Sequence, residues 1–78
     1  MEWENELMKM RKQIDTIDDE IIKLLNKRMQ LCKEIGEIKR MRSIPIEDCK
    51  RENEILQKAG IFKSVFKEII SLCKDLEK

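Results

Sequence analysis

One cationic side chain interrupts an otherwise apolar helical seam, and a second lies on nearly the same face. Arg28 fills the one position of the seam that is not apolar, and Lys39 follows eleven residues later, close to three helical turns. The two are about 16 Å apart along a helix axis, so both side chains can reach a small molecule between them. Equally, an Arg in a seam can snorkel or pair with an acid, and Lys39 can be a flanking surface lysine.

Arg11 is a third cation near the seam, but it is too distant to join the other two within one chain. It lies roughly 25 Å from Arg28 and about 42 Å from Lys39 along the same axis. An antiparallel partner helix would bring its own Arg11 into the gap. A shared cationic pocket would then exist only in a dimer, and otherwise Arg11 is an ordinary surface residue.

Two further groups of polar residues follow along the chain. Asp48, Arg51 and Glu52 stand at the start of a predicted helix, where free N–H groups already favour anions. Cys73 and Glu77 are one turn apart at the edge of a later apolar stripe. A capped helix with solvated charges explains the first group equally well, and core packing with a terminal Glu explains the second.

The chemistry open to this chain is limited by what it lacks. The sequence has no His, and therefore no usual general base, metal ligand or pH switch. It contains no nucleophile–base pair, no glycine-rich phosphate loop and no carboxylate cluster suited to two metals. A ring of cations with one or two carboxyls suits a dianionic ligand, and a reaction that needs orientation and electrostatics rather than a metal, a cofactor or covalent catalysis.

Charge and cysteine content restrict partners and compartment. The 17 Lys and Arg nearly balance the 16 Asp and Glu, for a net charge of +1, which argues against a general nucleic-acid or anionic-membrane binder. The acidic N-terminal residues are not those expected of a signal peptide, and no apolar run is long enough to predict a membrane span. The three cysteines have no zinc-site spacing, and their odd number does not suggest a disulfide framework, so we predict three free thiols in a reducing cytoplasm.

Periodicity predicts three helices and no strand. Proline disfavours helix around residue 45, Asp48 is placed as an N-cap, and Gly60 is placed to end a helix. The predicted helices cover about 4–42, 49–58 and 62–77. In the first, apolar residues recur at alternating steps of three and four, as in a heptad: Leu7, Met10, Ile14, Ile17, Ile21, Leu24, Leu31, Ile35 and Ile38.

The length of the first helix predicts an oligomer. Thirty-eight helical residues span roughly 57 Å, whereas a compact chain of this size is about 30 Å across. The two shorter helices cannot cover the whole seam. We therefore predict an all-α fold in which one long helix and two shorter ones form an intertwined homodimeric bundle, with residues 1–78 as a single domain.

The combined spacing of polar and apolar residues over residues 7 to 77 resembles that of the all-helical (AroQ-type) chorismate mutases. Three segments carry the resemblance: Arg11-x-x-Ile14-Asp15-x-Ile17-Asp18-x-x-Ile21-x-x-Leu24-Leu25-x-x-Arg28-x-x-Leu31-x-x-x-Ile35-Gly36-x-x-Lys39, then Pro45-Ile46-x-Asp48-x-x-Arg51-Glu52, and finally Phe66-Lys67-Glu68-Ile69-Ile70-x-x-Cys73-x-x-x-Glu77.

The resemblance implies the Claisen rearrangement of chorismate to prephenate, on the route to phenylalanine and tyrosine, without cofactor or metal. It implies a dimer built on the long helix and a site shared between chains. Lys39 would donate to the ether oxygen, and Glu52 with the Asp48 region would hold the ring hydroxyl. The substrate carboxylates would be bound by Arg28, Arg51 and the partner chain's Arg11.

Three features depart from the common family pattern. Cys73 stands where many relatives have Ser, and Glu77 stands where they have Gln, the second donor to the ether oxygen. An ionised Glu cannot donate a hydrogen bond, so we predict that Glu77 must be protonated for full activity. The link between the second and third helices is also about ten residues shorter than in most relatives, which puts part of the pocket wall in doubt.

Two other functions remain compatible with parts of this pattern. An isochorismate-pyruvate lyase shares the fold and the cations but lacks the Arg-Glu pair seen here as Arg51-Glu52. A non-catalytic coiled-coil module explains the heptads but not Arg28 on the seam. Nothing in the sequence indicates whether the chain docks on another shikimate-pathway enzyme.

Overall fold

The chain is entirely helical. A computed structural model describes residues 1–78 and contains helix α1 (Glu2–Arg42), helix α2 (Cys49–Ala59), a 3-10 turn (Gly60–Phe62) and helix α3 (Lys63–Glu77). It contains no strand. The predicted all-α class and three helices are confirmed, and each predicted helix end lies within two residues of the observed one.

Local chemistry explains where α1 ends and α2 begins. Ser43 adopts a left-handed conformation with φ 55°, and the backbone N–H of Ile44 donates to the carbonyl of Lys39 at 2.8 Å. Pro45 prevents the helix from continuing. Asp48 then caps α2, because its Oδ1 accepts a hydrogen bond from the backbone N–H of Arg51 at 3.0 Å.

The 3-10 turn folds α3 back along α2. Gly60 has a φ of 58°, in the region that favours glycine, which agrees with its predicted role as a helix-ending residue. The end of α3 meets both α1 and the start of α2. Consequently α3 runs parallel to the C-terminal part of α1, and three segments converge at one end of the molecule.

Very little of the isolated chain is buried. Five of 78 residues fall in the buried class: Cys32, Gly36, Ile69, Ile70 and Glu77. The chain measures 62 × 22 × 14 Å, with a radius of gyration of 17.3 Å, against about 12 Å for a compact chain of this length. The seam of α1 is largely exposed, with Leu24 at 61% and Ile14 at 54%. The predicted homodimer would cover this face.

Two of the three cysteines are joined, so the prediction of three free thiols is wrong. Cys32 of α1 and Cys73 of α3 form a disulfide with their Cα atoms 5.4 Å apart, and only Cys49 is free. Sequence spacing did not reveal the pair because 41 residues separate them. The parallel packing of α3 on α1 brings them together.

No helix combines the length and the apolar character needed to cross a membrane. The cytoplasmic location stays a prediction.

Candidate active site

A cavity of about 400 Å³ lies where the three segments converge. Its walls come from the C-terminal half of α1, the connection to α2, the first turns of α2 and the last turns of α3. Arg11 is exposed and takes no part in it. The other seven predicted site residues all line it: Arg28, Lys39, Asp48, Arg51, Glu52, Cys73 and Glu77.

Lys39 is a half-buried ammonium with two of its three protons already engaged. Its Nζ donates to the carbonyl of Ile46 at 2.9 Å and to Oε1 of Glu77 at 2.6 Å. The side chain is only 16% exposed, so water has little access to it. A lysine ammonium has three donors. One N–H therefore remains for a ligand in the cavity.

Glu77 is buried although it is the second-last residue. Its side chain is 7% exposed, Lys39 binds Oε1, and Nη1 of Arg40 donates to its backbone carbonyl at 2.9 Å. These contacts fix the end of α3 against α1. The carboxylate leaves Oε2 without a nitrogen donor, 3.7 Å from Sγ of Cys73.

Gly36 makes this close approach possible. A Cβ built on Gly36 would lie 2.6 Å from both Cα and the carbonyl oxygen of Glu77. Real Cβ atoms do not tolerate such a distance from backbone, which cannot rotate away as a side chain can. The glycine thus has a packing role that its helix-weakening character alone did not indicate.

Cys73 lies in the cavity wall, but its sulfur has no proton to give. A thiol is a weak donor, whereas a disulfide sulfur has no S–H. While it is in the disulfide with Cys32, Cys73 therefore cannot take the place of the family serine as a hydrogen-bond donor. What Cys73 and Cys32 supply is an apolar wall that ties α3 to α1 one turn before Glu77.

Arg28 offers a guanidinium that no carboxylate in the chain satisfies. It forms no ion pair, and its Nη1 donates only to Sγ of Cys32, at 3.7 Å. Burial lowers the pKa of Arg28, as does the charge of Arg51, while Glu77 raises it. An arginine nevertheless stays charged in proteins. A part-buried cation without a counter-charge is suited to bind an anion.

The start of α2 supplies a cation and two carboxylates. Asp48 uses Oδ1 for the helix cap, and Arg51 pairs loosely with Glu54 at 3.5 Å on the exposed surface. Glu52 faces inward with a side chain 24% exposed. Arg51 is thus free to move toward a ligand, whereas Glu52 is held in place.

Lys74 is the functional candidate that the sequence pattern did not predict. It lines the cavity, and its Nζ lies 3.2 Å from carboxylate oxygens of both Glu52 and Glu47. The hydrogen bonds to Glu52 and then Glu47 raise the pKa of Lys74. One signal was available: Lys74 is three residues before Glu77, and so on the same side of α3.

The cavity as a whole carries a small positive charge. Four cations, Arg28, Lys39, Arg51 and Lys74, face three carboxylates, which leaves a net +1. No group of three or more His, Cys, Asp or Glu side chains is arranged to hold a metal ion. The arrangement can bind an anion and offer hydrogen bonds from Lys39 in a partly dry setting.

A comparison with protein families decides what this helical site belongs to. The family model for chorismate mutase type II matches residues 10–78. The chain belongs to the type II chorismate mutase family. The resemblance in the motifs is therefore confirmed over nearly the whole chain.

The relatives of this mutase-family chain include one chorismate mutase and two longer enzymes that match over only part of their length. It is 39% identical to a chorismate mutase from Methanocaldococcus jannaschii, over 88% of this chain and 60% of that protein. It is 44% identical to a bifunctional chorismate mutase/prephenate dehydratase from Aquifex aeolicus, over 94% of this chain but 24% of that protein. A 3-dehydroquinate dehydratase from Pyrobaculum aerophilum matches at 34%, over 87% of this chain and 23% of its own length. The chain thus spans about a quarter of the length of the Aquifex aeolicus and Pyrobaculum aerophilum proteins.

One solved structure has the same fold over almost its entire length. A conserved hypothetical protein from Pyrococcus furiosus superposes with a TM-score of 0.91 at 46% identity, covering 92% of this chain and 95% of that one.

Proposed function

We propose that the chain is an isomerase that converts chorismate to prephenate, in the biosynthesis of phenylalanine and tyrosine. The observation that carries the proposal is the unpaired, part-buried Arg28, which lines the same cavity as Lys39 in a chain of this family. Chorismate has two carboxylates, and the reaction needs the cations that the cavity supplies. Each chain would contribute one domain, residues 1–78.

The rearrangement is intramolecular and needs no co-reactant. The ether C–O bond breaks while a C–C bond forms between the enolpyruvyl arm and the ring. Negative charge builds on the ether oxygen in the transition state, and the remaining N–H of Lys39 donates to it. Because Lys39 is held by Ile46 and Glu77 beforehand, little reorganisation is needed when charge develops.

The arginines of the cavity and the carboxylates at the start of α2 orient the substrate. Arg28 and Arg51 each hold a carboxylate by planar, bidentate contacts, which favours the reactive conformer. Glu52 and the Asp48 region accept hydrogen bonds from the ring hydroxyl. Glu77 is the second group at the ether oxygen and donates only when protonated, so activity is expected to rise toward acid pH.

A second copy of the chain would complete the site. Its seam would cover the apolar face of α1, and its Arg11 would add one more positive charge to a cavity that binds a dianionic substrate. A second volume of about 400 Å³ adjoins the first, and Arg28 and Arg51 line both. We assign the entry of the partner's Arg11 to this side.

Turnover of chorismate by the purified chain tests the proposal directly. Loss of chorismate absorbance is followed from pH 4.5 to 8, and the product is identified as prephenate. Arg28→Gln is expected to reduce kcat/KM by at least about 100-fold, because one or two charge-assisted hydrogen bonds are lost. Arg42→Gln is the matched control: Arg42 is exposed in the last turn of the same helix and lies outside the cavity.

Mixing two inactive variants tests the shared site. Arg11→Ala and Arg28→Gln are unfolded together and refolded as a mixture. If Arg11 acts across the interface, a mixed dimer has one intact site, and about a quarter of wild-type activity returns. If both arginines serve the same chain's site, no activity returns. Sedimentation of the wild type as a monomer would also contradict the shared site.

The alternatives have different outcomes. Pyruvate release from isochorismate, with no prephenate from chorismate, would indicate a lyase. A folded dimer without any turnover would favour the coiled-coil interaction module.

A further inference from the structure

Lys74 closes the open end of a helical hairpin over the cavity. The α2–α3 hairpin is joined at the 3-10 turn, so its opposite end is free to separate unless something holds it. Lys74 stands at that end, 3.2 Å from Glu52 in the first turn of α2 and 3.2 Å from Glu47 just before it. No other hydrogen bond joins α3 directly to α2 or to the segment leading into it; Lys39 of α1 links Glu77 to Ile46 only indirectly.

The two acceptors of Lys74 differ in environment. Glu47 is 68% exposed and does not line the cavity, whereas Glu52 is 24% exposed and does. Exposed ion pairs contribute little, since water screens them and long side chains must be ordered. The contact with Glu52 is consequently the one that can influence a bound ligand.

We propose that Lys74 is a positioning residue for the reaction: it holds Glu52 through Oε1, so that Oε2 is presented to the substrate's ring hydroxyl. This inference rests on the proposed function. Lys74 also offsets the charge of Glu52 beside a dianionic substrate. Without Lys74 the cavity's own net charge falls from +1 to zero, and an unneutralised carboxylate faces the ligand.

The effect is expected mainly in substrate binding. Lys74→Met removes the charge and keeps the chain length, and we expect KM to rise about tenfold while kcat changes less than about threefold. Lys74→Arg restores a donor and is expected to recover most of the loss. Glu47→Gln removes only the outer contact and is expected to leave KM within about twofold of the wild type.

A double-mutant cycle separates positioning from mere stabilisation. If Lys74 acts through Glu52, Lys74→Met should raise KM about tenfold in the wild type and less than twofold in a Glu52→Gln background. All variants are compared at one temperature well below the lowest unfolding midpoint. A purely structural role would lower that midpoint and leave KM unchanged.

The possible results have distinct meanings. Equal losses in both backgrounds, or an unchanged KM in Lys74→Met, would overturn the role of Lys74 while leaving the mutase proposal intact. Absence of chorismate turnover by the wild type would overturn both.

Discussion

Reduction of the Cys32–Cys73 disulfide should destabilise the chain by an amount that its loop length sets. The bond closes a loop between residues 41 positions apart. In the chain-entropy model such a closure removes about 13 cal/mol/K from the unfolded ensemble, equivalent to about 4 kcal/mol at 25 °C. For a domain of this size, each kcal/mol shifts the unfolding temperature by about 4–8 °C, so the expected loss is roughly 16–30 °C.

Thermal unfolding by circular dichroism, with and without a dithiol reductant, measures this loss. The reductant is oxidised as the disulfide takes up two electrons and two protons. Protein concentration is held constant, since a dimer's midpoint depends on it. The variant Cys32→Ala/Cys73→Ala should have a low unfolding midpoint that the reductant does not change. Cys49→Ala, which removes the exposed free thiol, should respond like the wild type.

Thiol counting measures the disulfide directly. One free thiol per chain is expected before reduction of the unfolded protein and three afterwards. Reduction should also lower kcat/KM, because the bond holds α3 one turn before Glu77. Three thiols without reductant, or a midpoint that falls by less than about 4 °C, would refute the reasoning.

Three further predictions concern the end of α3. Gly36→Ala should lower both the unfolding midpoint and kcat/KM, although Ala favours helix by about 1 kcal/mol, since its Cβ would meet the backbone of Glu77 at 2.6 Å; a more stable, fully active variant would contradict this. Glu77→Gln should flatten the acid-favouring pH–rate profile, and identical profiles for variant and wild type would exclude a required proton on Glu77. Hydrogen bonds to Glu52 and Glu47 raise the pKa of Lys74 above its usual 10.5. The ion pairs of Lys74 therefore stabilise the fold fully below pH 10.5, and this stabilisation is lost as the pH rises through the raised pKa of Lys74. The difference in unfolding midpoint between wild type and Lys74→Met should accordingly shrink from pH 10 to 12.

Much of the fold was predictable because its determinants are local. Helical periodicity, Pro45, the Asp48 cap and Gly60 each act over a few residues, and each was confirmed. Likewise, eleven residues of helix place Arg28 and Lys39 on one face, and both line the cavity. These features need no knowledge of how the helices pack.

The missed features all depend on the packing of α3. The disulfide, the close contact at Gly36 and the contacts of Lys74 join residues that are 22 to 41 positions apart or belong to different helices. The odd number of cysteines argued for free thiols, but a count does not reveal which cysteines lie close together in the fold. Lys74 was not predicted as a site residue, because its acceptors lie in the first turn of α2 and just before it.

The disulfide also divides the chain into a covalent ring and two arms. Residues 32–73 form the ring, which includes Lys39, Asp48, Arg51 and Glu52. A protease cut in the exposed connection between α1 and α2 would therefore not release a fragment. The two pieces would stay tethered at the cavity wall, migrate as one species on a non-reducing gel and separate only after reduction. Chain continuity through residues 43–48 is thus not what keeps the halves of the site together.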